Sequence, residues 1–270
     1  MKNWNYNALK SQTDNEFDFV ASVLNEILEN KQNVRVLDVG CSDGYNTEKM
    51  FGQFDNVDVV GIDISKDAID KAQSNIKRDN MTFECVNIEN DGELNDFYNS
   101  HEKFDIVYCS HLVQHLNNVT SFVKKVHYFM LKSQGYFIIK TIDDATKQAN
   151  QENDMLQNAL HYYQQYVAPF QELRRHTNRY IGSTIPDILD GLYANISRYD
   201  YIQTTEGLSV DNRLQLYNKC FHFRGTDDCI RIELPQDKEY LEMLERLKAL
   251  FVKDDYVFST TTLLFVALNK

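Results

Sequence analysis

Apolar side chains at Phe17, Val20, Val23, Leu24, Ile27 and Leu28 recur every three or four residues, the spacing that lines up one face of an α-helix. The pattern predicts a leading amphipathic helix that opens at Asp14, whose carboxylate suits an N-cap. From Val34 the pattern changes. Val34, Val36, Leu37 and Val39 form a short buried-strand run that ends in a glycine-bearing turn, and residues 46–51 continue as a helix. The alternation then repeats. Strands are predicted over 57–62, 81–86, 104–109 and 136–139. A helix from Ser65 places Ala68, Ile69, Ala72 and Ile76 on one face, and another covers 122–131. Strands alternating with helices at this spacing predict an α/β fold with a doubly wound, mostly parallel sheet.

After Lys140 the alternation stops. Residues 143–178 are polar, aromatic and helical in pattern, and Pro186 suits the first turn of a helix through Ile188, Leu189 and Leu192. A sixth strand over 197–204, a helix over 238–251 and a last strand over 256–268 complete the reading. Ten glycines and three prolines in 270 residues leave no long flexible linker. The expectation is one domain over 1–270, with a cofactor-binding core at about 30–142 and helical lid insertions at about 143–180 and 206–253.

Charge narrows the partners. With 28 basic and 40 acidic side chains the net charge is −12, which repels phosphate backbones and anionic lipid headgroups. No nucleic acid and no membrane partner is expected. The first seven residues lack the apolar stretch of a signal peptide, and runs such as Leu263 to Leu268 are too short to span a bilayer, so a cytoplasmic protein is expected. Five cysteines without a CxxC pair predict neither a disulfide framework nor a zinc ribbon.

The chemistry concentrates at the strand ends. After the first strand, Gly40 and Gly44 allow a sharp turn and a close backbone approach to a ligand. Nicotinamide-binding folds carry GxGxxG here, whereas this chain has GxxxG with Asp38 inside the strand. The run Leu37-Asp38-Val39-Gly40-Cys41-Ser42-Asp43-Gly44 resembles the first motif of the class I S-adenosylmethionine-dependent methyltransferases, with Ser42 in place of the middle glycine. Gly61-Ile62-Asp63-Ile64-Ser65, with Ile69 and Ala72 behind it, resembles the second. Asp63 lies nineteen residues beyond Gly44.

The resemblance covers about residues 34–142 and implies S-adenosyl-L-methionine as cofactor on a Rossmann-like fold. It implies that Asp38 and the backbone of Gly40, Cys41, Ser42 and Gly44 face the methionine end, and that Asp63, followed by Ile64, takes the ribose hydroxyls. It further implies that Asn87, where the family usually has aspartate, receives the adenine amino group beside Ile88, with Glu89 in reserve. In the segment after the fourth strand, Ser110 adjoins the cofactor. His111 or His115 could take a proton from an acceptor at neutral pH, or serve in helix packing. Their i, i+4 spacing lacks the glutamate of a metal-binding HExxH, so no metal is expected.

Acceptor recognition is expected in the later segments. Tyr162, Tyr163 and Tyr166 precede Arg174, Arg175 and Arg179. Tyr162, Tyr166, Arg175 and Arg179 would line a pocket for an acceptor with an anionic group. The alternatives are a solvated helix face that pairs with local acids, or a homodimer interface. The resulting expectation is methyl transfer to an oxygen or nitrogen of a small-molecule acceptor. A peptide or protein methyltransferase would share these motifs. A non-catalytic cofactor-binding module would fit the departures at Ser42 and Asn87, and the acidic pattern of an aminopropyltransferase is not evident.

Overall fold

The computed structural model describes residues 6–168, 177–221 and 235–270. By internal contacts the chain divides into two compact units. The first comprises Met1–Thr141, Thr184–Tyr201 and Leu263–Lys270, and the second Ile142–Ser183 and Ile202–Thr262.

The chain opens with α1 (Tyr6–Leu28), β1 (Val34–Val39), α2 (Tyr45–Phe51), β2 (Val57–Asp63), α3 (Lys66–Asn75) and β3 (Met81–Cys85). There follow α4 (Asp91–Ser100), β4 (Phe104–Ser110), α5 (Val119–Lys125) and β5 (Leu131–Ile142), then β6 (Gln148–Ala149) and α6 (Asn153–Tyr162). The last elements are α7 (Ile185–Leu189), β7 (Tyr193–Thr204), α8 (Val210–Phe221), α9 (Pro235–Phe251) and β8 (Phe258–Asn269).

In the first unit the strands run in the order β3-β2-β1-β4-β5-β8, with β7 paired to β8. The ladders from β3 through β5 are parallel. This is the doubly wound α/β sheet that the alternating pattern predicts. A parallel strand covered on both faces has few positions for polar side chains. Accordingly Val36, Leu37, Ile106, Val107, Phe137, Ile138 and Ile139 are all fully buried. The apolar stripe of α1 joins this core through Val20, Val23, Leu24 and Leu28, beside Met50 and Phe51 of α2. Burying each such side chain contributes about 1.5–3 kcal/mol. The strand order reverses between β1 and β4, so the crevice of the fold opens at their carboxyl ends.

Several elements depart from the sequence pattern, among them the short β6 inside a segment read as helical and β7, which starts at Tyr193 rather than at 197. α1 begins at Tyr6, two turns before the predicted start, because its opening residues are largely polar and give no periodic signal. Asp14 is therefore inside the helix rather than capping it, and its carboxylate accepts from Tyr45 Oη and Lys49 Nζ, each at 2.7 Å. α4 escapes prediction because only Leu94 and Phe97 are buried, while Asn90 caps it by accepting from the Gly92 and Glu93 N–H groups. β5 starts at Leu131, after a π-helical turn, rather than at Tyr136. Its pairing jumps from Leu131 opposite Phe104 to Tyr136 opposite Ile106. At Gly135 a Cβ would come within 2.9 Å of the Asp105 carbonyl oxygen, so only glycine lets the detour pass.

The second unit has its own core, in which Leu156, Leu160 and Tyr163 meet Leu216 and Phe221 of α8 and Tyr240, Leu247 and Phe251 of α9. Two segments far apart in sequence thus share one apolar interior. β6 pairs antiparallel with residues 258–259 of β8. Buried Arg213 donates to the carbonyls of Leu208, Lys253, Tyr256 and Asp254, closing the loop after α9.

Candidate active site

The turn after β1 is built from left-handed residues. Gly40 and Gly44 each have φ +79°, and Ser42 has φ +53°. At Gly44 a Cβ would approach Ile76 Cδ1 to 2.5 Å, so the turn and the packing of α3 both require glycine. Serine adopts the left-handed region without prohibitive cost, which is how Ser42 stands where the family motif has glycine. The Gly40 and Cys41 N–H groups donate to the Ile62 carbonyl, locking the turn to the end of β2.

Asp63 ends β2 and ties the two turns together. One carboxylate oxygen accepts the Ser42 N–H at 3.0 Å and the other the Ser65 N–H at 2.8 Å. Burial raises its pKa, against the lowering effect of these two bonds. Ser65 caps α3 by accepting from the Ala68 N–H. Next to Asp63, Ile64 is 67% exposed, an apolar side chain held at the surface of the crevice. At the end of the adjacent strand, Asn87 Oδ1 accepts the Glu89 N–H and its own N–H donates to Glu93. Half-buried Ile88 follows it. Glu89 accepts from both the backbone and the side chain of Asn117, bracing the segment after β4.

Asp38 and Cys41 lie beneath the turn. Cys41 is buried in the core cluster. Asp38 is 1% exposed and accepts the Thr47 hydroxyl at 2.6 Å. Burial pushes its pKa up to about 7; Thr47 and Lys140 oppose that and Asp63 adds to it.

A buried charged group lies across the ends of β4 and β5. Ser110 is level with Lys140 in the parallel register. Lys140 Nζ lies 3.0 Å from Glu16 Oε2 of α1, with the two side chains 1% and 0% exposed. Burial disfavours the Lys140 charge, but Tyr108, Glu16 and Asp38 together raise its pKa above the ordinary lysine value. His111 follows Ser110 with φ +52°, and its N–H donates to the Lys140 carbonyl at 2.7 Å. Its Nε2 is 2.7 Å from the Gln12 amide nitrogen and 3.3 Å from Glu16 Oε2. His115 is half-buried, in the 3₁₀ turn over Val113–His115. The strand-end motifs contain His111 but neither Gln12 nor Glu16. A signal existed only in the helical spacing, which puts Gln12 and Glu16 one turn apart on one face of α1.

The expected acceptor residues fall in the second unit. Tyr162 stacks on Tyr240 and meets Tyr166 at a 43° tilt, both at a centroid distance of 4.9 Å, and its hydroxyl donates to Asp237. Tyr166 is exposed. Arg179 is 7% exposed and pairs with Asp144, which Lys147 also contacts. Arg175 lies outside the described residues. Among the described residues, no cluster of His, Cys, Asp and Glu could hold a metal ion, and no helix is long and apolar enough to cross a membrane.

The glycine turn after β1 and the acid at the end of β2 meet at the switch point of the parallel sheet, the place where open α/β folds bind ligands. Residues 30–202 match the family model of a methyltransferase domain. The chain belongs to the class I S-adenosylmethionine-dependent methyltransferase family. It is 29% identical over 154 residues to the ubiquinone biosynthesis O-methyltransferase of Glaesserella parasuis, covering 52% of this chain and 61% of that one. It is 30% identical over 119 residues to the malonyl-[acyl-carrier protein] O-methyltransferase of Acetivibrio thermocellus, covering 44% and 39%. Its matches thus span less than two thirds of either relative. The solved phosphoethanolamine N-methyltransferase 2 of Haemonchus contortus, in complex with phosphomonomethylethanolamine and S-adenosylhomocysteine, shares the fold. That likeness has a TM-score of 0.54 and 14% identity, covering 93% of this chain and 52% of that one.

Proposed function

We propose that the chain binds S-adenosylmethionine at the carboxyl ends of β1 to β4 and transfers its methyl group to a hydroxyl oxygen of a small-molecule acceptor. The observation that carries the reading is Asp63. Each of its oxygens already accepts one backbone N–H, from Ser42 or Ser65. A carboxylate oxygen has a second lone pair, so the pair can also take both hydroxyls of a ribose. Exposed Ile64 beside it offers an apolar surface to a purine ring, and Asn87 an amide next to that ring. These residues fit the cofactor.

When bound, the cofactor supplies a methyl group already activated on a sulfonium. The residues of the chain then have to orient the acceptor, exclude water and take up a proton. The Gly40 to Gly44 backbone and Ser110 hold the methionine end, above the buried Asp38 carboxyl, whose ionised form, dominant above about pH 7, favours an ammonium. His111 receives the acceptor proton. Oxygen is favoured as the acceptor atom because the two curated relatives are named O-methyltransferases.

Calorimetry with S-adenosylhomocysteine tests the reading. Asp63→Ala loses two charge-assisted bonds worth about 1.5–3 kcal/mol each, so affinity should fall at least ~100-fold. Asp63→Asn, which keeps one acceptor oxygen, should fall less. Unchanged affinity in Asp63→Ala would refute the assignment.

A further inference from the structure

We infer that Glu16, on α1 and outside every strand-end motif, is a positioning residue that orients the His111 imidazole to take the proton of a hydroxyl-bearing acceptor. The inference rests on the methyl-transfer reading above and deepens it at the acceptor side of the same site.

Four observations converge. The Glu16 side chain has no solvent exposure, and its Oε2 stands between His111 Nε2 at 3.3 Å and Lys140 Nζ at 3.0 Å. A buried carboxylate is costly unless it is paired and hydrogen-bonded, and the Lys140 ammonium supplies an opposite charge beside it. His111 is held in the left-handed region by the end of β4, its N–H donated to the Lys140 carbonyl. A non-glycine residue there costs free energy and persists only where its surroundings hold it. Thirdly, the imidazole remains partly accessible, at 16%. Finally, the sheet register puts His111 one residue past Ser110 and so at the crevice, one strand from the glycine turn.

The consequence concerns the tautomer. When Nε2–H is donated to the Glu16 carboxylate, the basic nitrogen of the neutral ring is Nδ1. Gln12 meets the same Nε2 with its amide nitrogen, which favours the opposite tautomer. A half-turn of that amide presents its oxygen instead. Glu16 and Gln12 therefore set two states of one ring, and the carboxylate favours the state that is basic at Nδ1. As the acceptor oxygen forms its bond to the methyl carbon, the carbon–sulfur bond breaks with its electron pair going to sulfur. The hydroxyl proton passes to Nδ1, the resulting imidazolium is stabilised by Glu16, and the proton later leaves to water. A carboxylate set behind the imidazole suits an alcohol or phenol, which must lose its only hydroxyl proton.

Among the described residues, the charged and titratable groups near the ring include Glu16 from α1, Lys140 from β5 and, beside Lys140, Tyr108 from β4 and Asp38 from β1. Removing the carboxylate leaves the ammonium of Lys140 facing the imidazole, so the imidazolium is disfavoured.

Nitrogen-15 NMR of the His111 ring in the full chain reads both tautomer and titration. The wild type should show Nε2 protonated and Nδ1 unprotonated above the titration midpoint. In Glu16→Gln that midpoint should fall by about one pH unit or more. Should Glu16→Gln fail to fold, Glu16→Leu with Lys140→Met removes both buried charges together, and should lose the Nε2–H tautomer. An unchanged tautomer and midpoint in whichever variant folds would overturn the inference. S-adenosylhomocysteine binding to the wild type is measured alongside. Absence of that binding overturns the methyl-transfer reading, whereas an Nε2–H tautomer that disappears without Glu16 still establishes the orienting contact.

Discussion

Replacing Asp38 by asparagine should flatten the dependence of stability on pH. The carboxyl is 1% exposed, and burial, opposed by Thr47 and Lys140, places its pKa at about 7, against 3.8 for an ordinary aspartate. Below about pH 4 the group is protonated in both folded and unfolded chains. Between that value and about 7 the unfolded chain has lost the proton while the folded chain keeps it. The folded state then binds more protons, so the unfolding free energy falls as pH rises, by up to about 1.4 kcal/mol per pH unit. Across the whole window the ceiling is roughly 4 kcal/mol. Asparagine stays neutral and can still accept the Thr47 hydroxyl through its side-chain oxygen. Urea unfolding followed by circular dichroism at pH 5, 6, 7 and 8 isolates the effect, because other carboxylates titrate alike in both proteins. The stability of Asp38→Asn relative to the wild type should rise by about 2–3 kcal/mol between pH 5 and 8. Parallel curves would show that Asp38 ionises normally and would refute the argument from burial.

Gly44→Ala should lower the melting temperature by about 5–15 °C, since it combines left-handed strain with a Cβ 2.5 Å from Ile76 Cδ1; a thermal melt within 2 °C of wild type would contradict the packing. Lys140→Met should cost about 3–5 kcal/mol by leaving the buried Glu16 without its lysine counter-charge. Adding Glu16→Gln should restore most of that loss in urea unfolding, and a double variant no more stable than the single one would show that the two side chains are not coupled.

The parallel core and the glycine turn after β1 were legible in the chain itself because both are local. Val36 to Gly44 and Gly61 to Ser65 each hold strand, turn and acid within a few residues, and backbone sterics at glycine act at that same range. α4 and the early start of α1 were not legible, since their exposed polar turns carry no periodic burial signal. The expectation that Asp14 caps α1 failed for a related reason: its partners, Tyr45 and Lys49, come from α2. The opposite end of the site depended on contacts that no local pattern encodes. Glu16 reaches His111 across 95 residues and Lys140 across a longer stretch, and around Glu16 the sequence offers only its helical spacing, one turn from Gln12 and from Val20. Only the packing of α1 over the strand ends removes its water, and burial then makes the lysine and the histidine its necessary partners. The sequence by itself determined the parallel strands and the glycine turn at which the cofactor is proposed to bind. The tertiary structure alone decided which charges lie beside them, because the cost of a charge is set by what surrounds it in space.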